Sequence, residues 1–549
     1  MTPRARSLTI GLDGATWDVI EPNRALLPNL WRLRQTGAWA RLNSTTPPMT
    51  LPSWSSVLTG CKPGTHGILD FTRRDPGTYA LSFLNATHRR VPTLHRILSD
   101  RGGRVASIAV PTTFPPEALN GLVVAGFDSP VATTAEVRHV QPAAAWPELE
   151  RRFGGLHFAD FQEGDIGPGW HAHARSSLLR EIGRKEALCA HLLDSEPWDH
   201  FMVVFGESDT AAHHFWMFYD SSSPRHAAAC ALPGADRVKD TLLEVYARLD
   251  AAVGRLAARA DVVAICSDHG FGGANDIALY LNRFLEQRGW LKFRDAPGLG
   301  VGDRFRRAAL AVPSRSLERV IRRVPPAWLG RTETRSRYGP IDFPGTRAWS
   351  DEMNYAATVH LNVRGRDPDG QVENVPLAVA DLTRELLAWE VDGHRVVEAV
   401  HADAYDGAPG APDLVLTLAL NAGGSYTLLP STRVESGTLW RRLERSEHPG
   451  GKGLGMNGAH RQHGVLLLNG PMFRAGEVDA SVWDLAPTLL HALGEAIPEH
   501  MEGCVLPVFH TLDAPRRAPV GAPVSTLDAS ARPGDDEAIR LRLAKLGYL

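Results

Sequence analysis

The chain has 549 residues, a formal net charge of −3, and 22% charged and 7% aromatic residues. Its length exceeds one ordinary hydrophobic core and calls for a large α/β domain carrying an insertion, or for two domains. The near-neutral balance excludes recognition of nucleic acid or membrane driven by whole-chain charge, and no nucleic-acid partner is expected.

The N-terminus offers Arg4 and Arg6, but the apolar stretch that follows is only Ser7–Leu12 and runs straight into Asp13. That is a strand rather than a signal peptide. Short β-like runs then alternate with helical patterns, as a doubly wound, mostly parallel sheet flanked by helices requires. Candidate strands are Ser7–Leu12, Val105–Val110, 122–125, 201–205, Val262–Cys266, 413–416 and 465–468. Candidate helices are 176–193, 237–258, 376–389, with Pro376 at a tolerated first position, and 482–493. No apolar run approaches the roughly 20 residues needed to span a bilayer.

The stretch 287–345 breaks this rhythm. It is punctuated by Gly and Pro and rich in arginine, including Arg304, Arg306, Arg307, Arg319, Arg322 and Arg323. It reads as an inserted cap in a catalytic domain spanning 1–512, and serves as a solvated helical surface or, alternatively, as an anion-attracting lid or membrane-surface patch. Residues 513–549 form a loose Pro/Ala/Ser-rich tail closing in a short amphipathic helix at 537–546. The five cysteines (Cys61, Cys189, Cys230, Cys266, Cys504) are scattered without metal or disulfide spacing. They suit reduced core positions in a cytoplasmic protein.

Three of the apolar runs end close to an aspartate: Asp13, Asp209 and Asp268. In parallel strands these carboxylates converge on the carboxyl edge of one sheet, where open α/β folds place their active sites. His269 directly follows Asp268, and His213 lies one helical turn beyond Asp209 on the same face. Oxygen and imidazole ligands without a thiolate suit zinc or manganese in a hydrolytic site.

A nucleophile is sought next. In Thr45-Thr46-Pro47-Pro48-Met49-Thr50-Leu51-Pro52-Ser53-Trp54, Pro52 fits an early helical position and Gly60 a C-terminal cap, so Thr50 falls at a helix N-terminus. Backbone N–H groups there favour an anion. By local sequence alone Thr50 reads as an ordinary N-cap.

Several segments together change that balance. They are Leu12-Asp13-Gly14, Pro48 through Pro52 to Thr59-Gly60, Pro63-Gly64-Thr65-His66-Gly67-Ile68, Asp209-Thr210-Ala211-Ala212-His213, Ser267-Asp268-His269-Gly270-Phe271, Gly458-Ala459-His460-Arg461, Gly470-Pro471 and Asp484-Leu485-Ala486-Pro487-Thr488. In this order the chain resembles the alkaline phosphatase superfamily, specifically its type I phosphodiesterase/nucleotide pyrophosphatase branch with the bacterial phosphohydrolases and phosphomutases.

The resemblance implies a metal-dependent phosphoester hydrolase, diesterase or monoesterase, acting on a small phosphate ester through a threonyl-phosphate. It implies Thr50 as nucleophile and two divalent ions, zinc or manganese. Asp13, Thr50, Asp268 and His269 would surround one; Asp209, His213 and His460 the other, with His463 the second choice for the last ligand. His66, His214 and Arg461 are candidates for the surrounding shell. Where nucleotide pyrophosphatases carry Asn, this chain has Ser53 as the phosphate-contacting candidate, which leaves nucleotide preference open. A phosphomutase or phosphotransferase is the alternative on the same site, ahead of a binding module whose catalysis has lapsed. A sulfatase is disfavoured because Cys61-Lys62-Pro63-Gly64-Thr65 lacks that signature's arginine and follows the helix.

Overall fold

The computed structural model describes residues 6–126, 137–154, 166–294, 334, 337–352, 357–405, 407–451, 455–511 and 514–519. The arginines of 304–323 and the helix expected at 537–546 lie outside them. Among the described residues no helix is long and apolar enough to cross a membrane.

The main sheet has nine strands in the order Gly476–Glu477, Ala38–Asn43, His463–Asn469, Val262–Cys266, Ser7–Leu12, His200–Phe205, Val105–Val110, Gly121–Ala125 and Val140–Gln141. The five from Val262–Cys266 to Gly121–Ala125 are mutually parallel. His463–Asn469 pairs antiparallel with Val262–Cys266. Four of these parallel strands are buried at every residue, which explains their continuous apolar sequence: both faces of a parallel sheet are covered by helices. One face packs on Trp170–Ser195, Glu207–Tyr219 and Thr241–Ala257, the other on Thr50–Thr59, Leu94–Asp100 and Leu485–Ala492.

The expected strands recur within two residues at either end, but 413–416 does not join the main sheet. It belongs to Leu414–Leu418, in a separate four-stranded antiparallel sheet with Ala348–Trp349, Ala357–Leu361 and Val397–His401. This sheet, the helix Val375–Leu387 and residues such as Phe284, Trp290, Tyr338 and Phe343 share a second core. The hairpin Thr72–Arg74/Leu81–Phe83 reaches it, where Tyr79 stacks on Phe343 and Arg74 forms a buried ion pair with Asp367. Between the two cores runs the ten-residue strand Gly270–Leu279, which leaves the end of the main sheet directly after His269.

Cys61, Cys189 and Cys266 are buried, whereas Cys230 and Cys504 are exposed, so two of the five are not core residues.

A pair of histidines is sealed under the sheet. His200 Nδ1 meets Ser7 Oγ at 2.8 Å, and its ring lies 5.4 Å from that of His95. Burial pushes the His200 imidazole down to about 4; burial, then His200, pushes His95 well below its ordinary value. Both are neutral in the fold, whereas in the unfolded chain each titrates near about 6.5. Below that pH the unfolded state binds more protons, so stability is full above about 6.5 and falls as the pH drops toward about 4. We expect the melting temperature to decline between pH 7 and 4.5, and His200→Asn to give a shallower decline whatever its absolute stability. An equal or steeper decline in the variant would contradict this.

Candidate metal centre

Three adjacent strands of the main sheet deliver the acids. Asp13 follows Ser7–Leu12, Asp268 follows Val262–Cys266, and Asp209 sits in the first turn of the helix after His200–Phe205. His213 is one turn further along that helix, and His269 opens the strand to the second core. The strand Gly458–Arg461 pairs antiparallel with Gly270–Leu279 in the register Phe271 to His460, which returns His460 to the same edge. The His269 and His460 rings stack at 3.7 Å.

Two groups of side chains offer ligand atoms close enough for one ion each: Asp13, Asp268 and His269, and Asp209, His269 and His460. His269 Nε2 lies 3.3 Å from Asp268 Oδ2 and 3.7 Å from Asp13 Oδ1. Asp209 Oδ1 lies 3.3 Å from both His213 Nε2 and His460 Nε2, which are 3.0 Å from each other. Thr50 Oγ1 is 3.4 Å from His269 Nε2.

The chemistry of this donor set fits metal ions. His213 Nδ1 faces Gly458 O at 3.0 Å, His269 Nδ1 faces Gly270 O at 3.0 Å and His460 Nδ1 faces Pro48 O at 2.9 Å. A carbonyl only accepts, so each Nδ1 carries the proton and each Nε2 turns a lone pair into the site. This second hydrogen bond is the usual way a ligating imidazole is oriented. Asp209 Oδ1 and Asp268 Oδ2 are buried there without a hydrogen-bond donor. Lone pairs and carboxylate oxygens crowded together repel one another unless a cation lies between them. The same strain shows in the titration: burial, then Asp13 and Asp209, pushes the Asp268 carboxyl well above the usual range. Burial, then His460, pushes His269 well below its own.

Thr50 is the first residue of the helix Thr50–Thr59, with Met49 as a cap that makes no side-chain hydrogen bond. Gly60 ends it at φ +67°, a left-handed cap that disfavours side chains. The N–H groups of the first turn thus have no side-chain acceptor of their own. Ser53 faces inward. Its Oγ lies 2.9 Å from Ser44 Oγ and 2.8 Å from Thr45 Oγ1, and Ser44 Oγ donates to Asp268 O at 2.6 Å. It is fully buried and braces the Thr50–Thr59 helix against the Asp268 segment.

The surrounding-shell candidates divide. His66 lies under the helix, with Nε2 3.1 Å from Ser56 Oγ. His214 turns away onto Trp170, at 4.7 Å between rings. Arg461 also turns away, donating to Gly273 O at 2.9 Å in the strand Gly270–Leu279 and to Gly423 O at 3.0 Å in the turn before Gly424–Leu428. His463 is exposed at the start of its strand and takes no part in either ligand group.

Three structural residues went unnoticed in the sequence. Asn457 accepts from Met217 N at 3.1 Å and donates to His214 O at 3.0 Å, clamping the His213 helix to the His460 segment. Arg225, fully buried, bonds the carbonyls of Asn275 and Met456 at 2.6 and 3.2 Å. Trp54 donates from Nε1 to Asp13 Oδ2 at 3.0 Å. No motif marks Asn457 or Arg225, because both bind backbone. Trp54 carried one signal, its position one turn after Thr50.

Carboxylates, imidazoles and a helix-borne hydroxyl thus gather at the carboxyl edge of an open α/β sheet, as a candidate metal centre. The profile of the type I phosphodiesterase / nucleotide pyrophosphatase family matches residues 7–416, and the chain belongs to that family, whose members are phosphoester hydrolases. Its fold is alkaline phosphatase-like. Among solved structures it is similar to phosphonoacetate hydrolase from Sinorhizobium meliloti 1021 in complex with phosphonoformate, at 15% identity and TM-score 0.51, covering 90% of this chain and 96% of that one. The same enzyme in complex with phosphonoacetate matches at 14% identity and TM-score 0.48, with the same coverage. No curated protein matches the chain.

If His460 rather than His463 completes the Asp209 group, His460→Ala should lower the metal content of the purified protein and His463→Ala should leave it unchanged. Elemental analysis by mass spectrometry reads this directly, and the reverse order would move the assignment to His463.

Proposed function

We propose that the chain is a two-metal phosphoester hydrolase of small phosphate esters, with Thr50 as nucleophile. The observation that carries this reading is the set of three imidazoles whose Nε2 lone pairs are fixed toward three buried carboxylates, beside a threonine that opens a helix. Asp13, Asp268, His269 and Thr50 would hold one ion and Asp209, His213 and His460 the other. Zinc or manganese would supply charge neutralisation and lower the pKa of hydroxyl groups held at the site.

The chain's own residues do the rest. The helix presents Thr50 Oγ1 for in-line attack on phosphorus, while the N–H groups of Thr50 and Leu51 at its start receive nonbridging oxygen charge. The P–O bond to the leaving alcohol breaks as the threonyl Oγ1–P bond forms. Water then cleaves that ester, restoring Thr50 and releasing phosphate or a monoester. Ser44, Ser53 and Thr45 keep the helix start and the Asp268 loop in one register. The unpaired cysteines suit a reducing, cytoplasmic setting. The 287–345 stretch is proposed as a cap; its described ends, including Trp290 and Phe343, pack in the second core.

Thr50→Ala should lower turnover at least about a thousandfold while both ions remain bound, because the nucleophile is lost but the Asp and His side chains remain to hold the ions. The assay is a panel of bis-p-nitrophenyl phosphate, p-nitrophenyl phosphate, p-nitrophenyl sulfate and phosphonoacetate with zinc and with manganese. Activity within about tenfold of wild type would mean another nucleophile. An isomerised sugar phosphate as product would favour a mutase, and phosphonoacetate as the preferred substrate would redirect the reading to carbon–phosphorus cleavage.

A further inference from the structure

We propose that Trp54 is a positioning residue of the metal centre. Its indole N–H fixes one oxygen of Asp13 so that the other is presented toward His269. The inference rests on the two-metal reading above and names a residue through which the nucleophile helix and a metal ligand are coupled.

The two carboxylates of the Asp13 group are held in parallel ways. Asp268 accepts from Gly14 N on Oδ1 at 3.2 Å and points Oδ2 at His269 Nε2, 3.3 Å away. Asp13 accepts from Trp54 Nε1 on Oδ2 at 3.0 Å and points Oδ1 at the same nitrogen, 3.7 Å away. In each, an N–H on one oxygen stops rotation about the Cβ–Cγ bond and leaves the second oxygen facing the site. The indole is donor-only, so it bonds a carboxylate acceptor and cannot be served by it in return. A buried charge-assisted hydrogen bond of this kind supports the ionised, ligating form of Asp13.

Packing gives the indole no alternative position. Trp54 is fully buried, and its six-membered ring lies against Gly11 in the central strand, where a Cβ would come within 2.3 Å of Cη2. Glycine at position 11 is what permits this approach. Thr50 opens the helix that carries Trp54 one turn later. A shift of that helix therefore moves the nucleophile and the Asp13 carboxylate together.

The test is metal affinity, measured by titrating chelator-stripped protein with zinc in a calorimeter, with thermal melting alongside. Wild type should take two ions per chain. Trp54→Phe should bind one of them about 10- to 100-fold more weakly, the range for losing an outer partner of a ligand, and the other unchanged. Leu58→Ala opens a space in the apolar core from the same helix and should lower the melting temperature while leaving both affinities intact. Should Trp54→Phe fold poorly, 3-benzothienylalanine at position 54 keeps the ring shape and replaces only the N–H by sulfur; it should show the same selective loss. Unchanged affinity with benzothienylalanine, or an equal loss in Leu58→Ala, would overturn the inference. Wild type that binds fewer than two ions would instead overturn the two-metal reading.

Discussion

The constraint on which the structure turns is the burial of three carboxylates and three imidazole lone pairs within a few ångströms of one another. Carboxylates that close do not all ionise in a low-dielectric interior without a counter-charge, and neutral imidazoles aimed at them supply none. The upward push on Asp268 and the downward push on His269 are two expressions of this conflict. Such an arrangement persists in a folded protein because the surrounding framework over-determines it, and a bound cation would relieve it.

The framework is visible in the backbone. Neighbouring parallel strands bring Asp13, Asp209 and Asp268 to one edge, and backbone carbonyls from three different segments each take one Nδ1–H. The second core contributes through the strand Gly270–Leu279, whose pairing with Gly458–Arg461 sets where His460 lands. Fold and centre are therefore one problem: the register that buries the apolar faces also sets the ligand geometry.

The parallel strands were legible because their apolar runs are continuous, and Asp13, Asp209 and Asp268 were legible because each follows such a run. Pro52 and Gly60 bracket a helix with Thr50 at its start, but local sequence reads that residue as an N-cap, and only the family resemblance singles it out. Strands such as Ala38–Asn43 and Gly270–Leu279 are not legible: the first buries two alanines alternating with a tryptophan and an arginine, too weak a contrast to show its alternating burial, and the second begins with three glycines in four residues. Leu414–Leu418 looks like a main-sheet strand because local sequence encodes burial and not which sheet provides it. Arg461 is a surrounding-shell candidate by its place in the resemblance, beside His460, yet alternation along a strand turns it to the opposite face. Ser53 carried the position of a phosphate donor, but three hydroxyls in mutual contact hold it inward, a tertiary fact that no local pattern reports.

Membership of the type I phosphodiesterase / nucleotide pyrophosphatase family and the placement of these side chains point the same way. The most direct measurement is anomalous X-ray scattering at the zinc edge from crystals of the protein loaded with zinc. The account predicts two peaks, one among Asp13, Asp268 and His269 and one among Asp209, His213 and His460. Zinc bound elsewhere, with these carboxylates hydrogen-bonded to one another or to the imidazoles instead, would contradict it.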